Sequence, residues 1–418
     1  MLSAEPRLIP RPDHPISRAN IDVEVLKVLY RLHHRGYKAY LVGGSVRDLW
    51  LGKKPKDFDI ATDAQPQDIR RLFRNSRIIG KRFRLVQVFF KGGKIVEVST
   101  FRSRSEFDSD GEVLAPNNTF GSPAEDAWRR DLTINGLFYD IADFSLIDYV
   151  GGLADLENRV IRVIGPPEVR FRRDPVRMLR VLRHAARTDF RIDAASWQGV
   201  KSHRQLIRLC SPARVRDELL KDFKSGFCGD FMLLMVDSGL LPAILPHFEE
   251  FLQDATAVEA VKNRLREIYK IVDLLSRTNL PFSEAFFWAG FLIPFLETAQ
   301  GVAFQEIKPE AVEPFVHDSL AILDFAKGRR EEVILLWLTA AHLLRLLSAG
   351  QRLPARLKRR TCLPEAWLLQ QILAGASPEL VEEITLRAGI VPSLPDTPPK
   401  KKGRRGRQGR PRKKIFPV

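Results

Sequence analysis

The sequence predicts an α+β protein: an N-terminal head with a mixed β-sheet and helices, an all-α neck and body, and a basic tail. Three observations predict it. Helix-period and strand-period stretches alternate over residues 20–102. From residue 168 onward the apolar residues recur almost only at helical spacing. Residues 400–418 hold ten Lys or Arg and no acid. At 418 residues the chain exceeds one ordinary domain and suggests roughly two to four.

The elements follow in order. "IDVEVLKVLYRLHHRG" puts Val25, Leu29 and Leu32 on one helix face and stops at Gly36. "YKAYLVGG" is a strand entering a glycine turn, and "VRDLWLG" is a short helix behind it. "KDFDIAT" alternates like a strand, and "QPQDIRRLFRN" is a helix started near Pro66. "FRLVQVFFKGGKIVEVSTFR" is a hairpin turning at Gly92-Gly93. Residues 103–127, rich in Gly, Pro, Asn and Asp, read as a mobile loop. "FSLIDYVGGLADLENRVIRVI" reads as one last hairpin. The expected divisions are an extension (1–19), the head (20–165), a helical neck (166–250), a helical body (251–392), and a linker with the tail (393–418).

Composition narrows the functional classes. The 44% hydrophobic content is enough for real cores. The most apolar stretch, "VILLWLTAAHLLRLL", carries His342 and Arg345 and reads as a buried helix, not a membrane span. The N-terminus lacks the apolar centre of a secretory signal. A cytoplasmic protein with no membrane partner is expected. The three cysteines, Cys210, Cys228 and Cys362, are scattered and read as reduced thiols. No heptad or self-complementary apolar stripe stands out, which suggests a monomer. The net charge of +16 is concentrated: Lys400, Lys401, Lys402, Arg404, Arg405, Arg407, Arg410, Arg412, Lys413 and Lys414 supply ten of it. Such a tail suits a polyanion, and RNA binding is assigned to it.

The densest chemistry lies in "LVGGSVRDLWLGKKPKDFDIATDA", residues 41–64. A glycine turn between strand and helix offers backbone N–H groups to phosphate, with Gly43 and Gly44 at the turn. Arg47, one helical turn on, can reach the same phosphate bidentately. Asp57 and Asp59, as i and i+2 on a strand, share a face and repel unless a cation lies between them. Phosphate, hard oxygen ligands and Mg²⁺ belong together, and two carboxylates can hold two ions. One ion would acidify an attacking hydroxyl and the other would steady a leaving group. Glu97 and Asp131 are both candidates for a third carboxylate.

Six ordered motifs then carry a resemblance. "LVGGSVRDLWLG", "KDFDIAT", "EVSTFR", "EDAWRRDLTING", "YVGGLADLENRVIRVIG" and "RRDPVRMLRVLRHAAR" resemble those of the class II template-independent nucleotidyltransferases, over about residues 20–250. That family holds CCA-adding enzymes and bacterial poly(A) polymerases. "IIGKRFRLVQVFF", the N-terminal "IPRPDHPISRANIDVEVLKVLYRL" and the basic tail resemble the poly(A) polymerase branch.

The resemblance implies the following. Asp57 and Asp59 bind two Mg²⁺ ions and Asp131 matches a catalytic position, while the third metal ligand stays open between Glu97 and Asp131. Gly43, Gly44, Arg47 and Arg130 hold the triphosphate of ATP. Asp174, Arg177 and Arg180 belong to the nucleotide-recognition motif, where a carboxylate and a guanidinium read the base edge. Here Arg173 stands where many members carry an acid. The implied reaction is template-independent addition of AMP to RNA 3′ ends, on mRNA and also tRNA, a polynucleotide adenylyltransferase. The competing readings are a CCA- or A-adding tRNA nucleotidyltransferase and, from another class, a catalytically idle RNA-binding protein.

Overall fold

In the computed structural model of the chain, residues 5–80, 84–103, 120–252, 254–277, 282–377 and 379 are described. The tail cations Lys400 to Lys414 lie outside them, as do residues 104–119 of the expected loop.

Apolar alternation builds the head. Its first part runs β1 (Arg7–Ile9), α1 (Val23–His33), β2 (Ala39–Val42), α2 (Gly44–Trp50), β3 (Asp59–Thr62) and α3 (Pro66–Leu72). There follow β4 (Ser76–Ile79), β5 (Leu85–Phe89), β6 (Ile95–Thr100), α4 (Pro123–Arg129), β7 (Leu137–Asp140), β8 (Leu146–Asp148) and α5 (Gly152–Glu157). Among the described residues, eight strands form one mixed sheet in the order β1-β8-β7-β2-β3-β6-β5-β4. Within it, only β3 and β6 are neighbours in parallel. The pleat divides the side chains. Leu41, Ile60 and Val98 join the main core, while Tyr40, Val42, Ala61, Phe101 and Phe138 form a second cluster with Ala127 of α4 on the other face.

Several sequence expectations need correction. The extension is not separate from the head: Arg7–Ile9 pairs antiparallel with Leu146–Asp148 and becomes the edge strand. Ser76–Ile79 adds a strand that the sequence pattern does not announce. The last hairpin is β7–β8, and "GGLADLE" within the expected hairpin is a helix. The expected loop ends in α4, because Ser122 and Glu125 form a capping box around Pro123 at the first turn.

The neck continues with β9 (Val160–Ile161), α6 (Pro167–Arg173), α7 (Arg177–Thr188), β10 (Arg191–Ile192), α8 (Ala194–His203) and α9 (Pro212–Phe223). β9 and β10 form a small parallel pair. The body is helical, as expected: α10 (Cys228–Asp237), α11 (Leu240–Ile244), α12 (Ala255–Arg277), α13 (Glu284–Gln300), α14 (Pro309–Ala321), α15 (Lys327–Ser348), α16 (Ala355–Lys358) and α17 (Leu363–Leu373). The apolar α13 is buried along most of its length, and its Phe287, Trp288 and Phe291 pack around Phe223 of α9. No helix among the described residues is long and apolar enough to cross a membrane. All three cysteines are free.

A buried ion cluster clamps α7 to α9. Arg183 donates to both carboxylate oxygens of Asp222 at 2.9 Å, and to the carboxylate and carbonyl of Glu218 at 2.6 and 2.8 Å. Burial pushes the Glu218 carboxyl up, but Arg183 and Arg180 outweigh it and hold it at about 2, below its ordinary 4.5. The more deeply buried Asp222 moves up, because there burial outweighs Arg183 and Arg187.

Replacing Arg183 with Ala leaves two buried carboxylates without their cation, so urea denaturation should show a loss of about 3–5 kcal/mol. Glu218 has a depressed folded value, so its stabilisation is present above 4.5 and is lost as pH falls from about 4.5 to about 2. In Glu218→Gln the stability profile should be flatter through that window; an unchanged profile would mean that Glu218 does not stabilise the clamp.

Candidate functional site

The site is built on one row of the sheet. Strand pairing sets Phe138, Val42, Asp59, Glu97 and Gln87 side by side across five strands. Asp59 and Glu97 are direct partners on the two parallel strands, so register alone puts their carboxylates on one face. β2 ends at Val42 because Gly43 takes φ 74°, ψ −142°, a region open essentially only to glycine. A Cβ there would lie 3.1 Å from Arg130 Nη1 and 3.7 Å from Asp59 Oδ2.

This break corrects the expectation for Asp57. β3 begins at Asp59, where its pairing with β2 ends at Val42, and Asp57 sits in the exposed bend before it. The i, i+2 strand geometry therefore does not apply to Asp57 and Asp59. Glu97 takes the neighbouring place on the sheet.

Beside the row opens a cleft of 410 Å³. It is lined by five acids, Asp59, Glu97, Asp126, Asp131 and Asp174, and six arginines, Arg102, Arg129, Arg130, Arg177, Arg180 and Arg214. Asp59 sits at its floor, where burial, Glu97 and Asp57 push its carboxyl above the ordinary value against the pull of Arg130. The residue is still open to solvent, so the crowding comes from the cleft walls. Burial also pulls Arg102 and Arg177 below their ordinary range. Crowded carboxylates beside desolvated guanidinium groups fit a ligand carrying both cationic and anionic parts.

The arginines are held in different ways. Arg130 donates to Asp126 at 2.9 Å, lies over the Phe138 ring at 5.2 Å, and faces Gly43. Its carbonyl accepts from Arg170 and Arg177, and Arg177 also donates to the Arg129 carbonyl at 3.0 Å. Arg180 is 3.8 Å from Asp131 and 3.6 Å from Glu218, too far for a hydrogen bond to either.

Asp174 and Arg177 are three residues apart but do not share one helix. Asp174 is the C-cap of α6 in an extended conformation, since the residue before Pro175 is driven out of the helical region, and α7 starts at Arg177. They still meet, with Arg177 Nε 3.9 Å from Asp174. Arg214 of α9 completes the group, with Nη2 at 2.9 and 3.1 Å from the Asp174 oxygens.

Arg47 is placed differently from the expectation. Its guanidinium turns away from the cleft and donates to Asp48 at 2.7 and 2.9 Å, to Asn135 Oδ1 at 2.8 Å, and meets His184 Nδ1 at 3.1 Å. Asn135 donates in turn to Asp131 at 3.2 Å. Asp131 also accepts from its neighbour's backbone N–H at 2.8 Å. Burial opposes its charge, yet His184, Arg180, Arg177 and Asn135 hold it below the usual carboxylate range. His184 is pushed down to about 3 by burial and Arg47, so it is neutral near pH 7. Gly44 lies against Arg47, 3.3 Å from Nη2 by the same Cβ measure.

The motifs do not single out Arg102, Asp126, Arg129 or the pair Asn135 and His184. Asn135 lies four residues after Asp131 in "RRDLTIN", and His184 lies in "RRDPVRMLRVLRHAAR"; both fall within quoted motifs, but no spacing links the two.

Residues 39–162 match the poly A polymerase head domain, and residues 189–252 match a probable RNA- and SrmB-binding site of polymerase A. The chain is 42% identical over 306 residues to poly(A) polymerase I of Escherichia coli O6:H1, which covers 71% of this chain and 65% of that protein. It is 34% identical over 232 residues to a CCA-adding enzyme of Bacillus pumilus, covering 55% and 57%. The fold is similar to that of the Bacillus stearothermophilus CCA-adding enzyme solved in complex with CTP, with TM-score 0.60, 26% identity, and coverage of 87% and 81%. Fold and cleft together define the head of a nucleotidyltransferase. The chain is similar to poly(A) polymerases and to CCA-adding enzymes, and the likeness is densest in the head. It spans about two thirds, 65%, of the length of the poly(A) polymerase I relative.

Gly43→Ala forces a left-handed residue against Arg130. The strain should cost about 1–3 kcal/mol in thermal unfolding. Nucleotide KM should rise further than that loss explains, because Arg130 moves; an unchanged KM would show that the Gly43–Arg130 contact plays no part.

Proposed function

We propose that the chain adds AMP from ATP to RNA 3′ ends without a template. The carrying observation is the register of Asp59 against Glu97 at the floor of an arginine-walled cleft. The relationship to poly(A) polymerase I, 42% identical over 306 residues, supports adenylate transfer over CCA addition, where the Bacillus pumilus relative is 34% identical over 232.

The carboxylates fit a divalent ion. Among the described residues, no three Asp, Glu, His or Cys side chains assemble into a metal cage. Mg²⁺ commonly takes one or two carboxylates together with substrate phosphates, and the Asp59–Glu97 pair is of that kind. Asp59 and Glu97 would hold it, with Asp57 alongside on the bend. Bound there, Mg²⁺ would neutralise phosphate charge and acidify the attacking hydroxyl.

The chain's own groups do the positioning. The 3′-hydroxyl oxygen gives up its proton to water and attacks the α-phosphorus, the bond from that phosphorus to the oxygen bridging to the β-phosphate breaks, and pyrophosphate leaves with the electron pair. Arg130 and Arg102 face the charge of the triphosphate, and Gly43 lets it approach the sheet edge. Asp174 and Arg177, held by Arg214 and by the Arg129 and Arg130 carbonyls, present an acceptor and donors to the base. Arg180 and Asp131 face the same cleft from α7 and from just past the end of α4. Arg47 acts from behind, by fixing Asn135 and through it Asp131. This is catalysis by orientation and charge placement. An idle head has no physical need for two adjacent acids in a crowded cleft, and their presence speaks against that reading.

The fold similarity to a CCA-adding enzyme sustains one second reading. Purified protein with Mg²⁺, labelled ATP or CTP, and either oligo(A) or a tRNA lacking its CCA end separates the two. Long tails on oligo(A) from ATP alone are expected. Addition that uses CTP and stops on the tRNA would replace this proposal with tRNA nucleotidyl transfer. Asp59→Asn should lower incorporation at least about 10³-fold with the fold intact.

Residues 400–418, with ten cations, would bind RNA through phosphate charge. Their deletion should raise RNA KM and flatten its salt dependence; an unchanged salt slope would mean that the tail is idle.

A further inference from the structure

The tail holds ten of the sixteen net positive charges, and two further stretches are basic and free of acids: residues 69–96 with nine cations and residues 333–364 with six. The latter 32 residues contain Arg345, Arg352, Arg356, Lys358, Arg359 and Arg360 and no Asp or Glu. They cover most of α15, the turn after it, and α16, the elbow that leads into α17.

The structure shows why the elbow is rigid and which charges it displays. Leu357 is 3% exposed and anchors α16 to the body core. Arg360 donates to Thr339 Oγ1 of α15 at 2.6 Å, which ties the elbow down from its other end. Arg345, Arg352, Arg356, Lys358 and Arg359 are all exposed. None of the five has an ion-pair partner among the described residues. Two of the three cations at the start of the same helix do: Lys327 pairs with Glu331, and Arg329 with Glu332. Stabilisation of a helix C-terminus by a nearby cation accounts for Arg345. It does not account for Arg352 in the turn, nor for a cluster of Arg356, Lys358 and Arg359 at the end of α16, a helix of only four residues. Unpaired like charges held together by a fixed backbone raise the local potential and suit a polyanion.

We infer that the α15–α16 elbow is a second RNA-backbone contact, separate from the nucleotide cleft and from the tail. This rests on the proposed action on RNA. Among the described residues none beyond Arg214 lines the cleft, so the elbow engages RNA upstream of the reacting end. Binding there is to phosphates and carries no sequence preference. Short acceptors that fill only the cleft do not reach it.

The test uses the full chain carrying Arg352→Gln, Arg356→Gln, Lys358→Gln and Arg359→Gln together. All four positions are exposed, so an unchanged thermal midpoint is expected and checks the fold. Fluorescence anisotropy is read with oligo(A) of about 30 and about 5 nucleotides over a salt series. For the long RNA, the slope of log K against log salt should fall by about 2–3, at about 0.7 for each phosphate no longer neutralised, and affinity at low salt should drop roughly tenfold or more. The short RNA should bind as before. An unchanged slope for the long RNA overturns the elbow as an RNA site, and equal weakening of both RNAs overturns its separation from the cleft. AMP incorporation by the unaltered chain is measured alongside. Its absence would sink the proposed activity, while the anisotropy still decides the elbow.

Discussion

The backbone at Arg129 and Arg130 is the junction on which the cleft depends. The two carbonyls accept from Arg177, and that of Arg130 also accepts from Arg170, which docks the neck onto the end of α4. The Arg130 side chain points the other way, between Asp126, the Phe138 ring and the glycine turn. One residue thus joins the sheet that carries Asp59 to the helices that carry Asp174 and Arg177. If this backbone shifts, the phosphate and base sides of the site lose their common frame.

Electrostatic balance follows from that junction. Five acids and six arginines share the cleft without pairing one to one. Asp126 and Asp174 are committed to Arg130 and Arg214. Asp59 keeps no such partner among the described residues, so burial and its acidic neighbours win and its carboxyl moves up. The Arg183 cluster behind α7 holds the other side of the neck with buried pairs, so Arg180 stays at the cleft with only long contacts. Crowding of this kind in a cleft suits a charged ligand.

Much of this is legible in the sequence, for identifiable reasons. The apolar run of "YKAYLVGG", the alternation in "KIVEVST" and the helix period of α1 are local patterns, and folding leaves them unchanged. Asp59, Arg130 and Arg177 stand out because motif spacing and chemistry coincide there. Other features depend on neighbours that are distant in sequence. Asp57 alternates with Asp59 like a strand residue, but the pairing with β2 ends at Asp59 opposite Val42, and Asp57 lies in the bend before the strand. Arg47 follows a phosphate-type turn, yet Asn135 and His184 claim its donors from 88 and 137 residues away. The α4 start is visible as Ser122-Pro123 with Glu125, and the polar composition around it masks the cap. Asp174 and Arg177 have the spacing of one helix face, although Pro175 stands between them and separates two helices. The elbow charges of residues 333–364 can be counted in the sequence, but only the fold shows which of them are displayed.

Everything proposed for the cleft turns on Asp59 and Glu97 holding a divalent ion jointly with a nucleoside triphosphate. Mn²⁺ binding followed by electron paramagnetic resonance tests this without requiring turnover. The expected result is weak Mn²⁺ binding to the chain alone, strong binding once ATP is added, and loss of the ATP-dependent part in both Asp59→Asn and Glu97→Gln. Undiminished ATP-dependent binding in both variants would contradict it and move the metal site elsewhere in the chain.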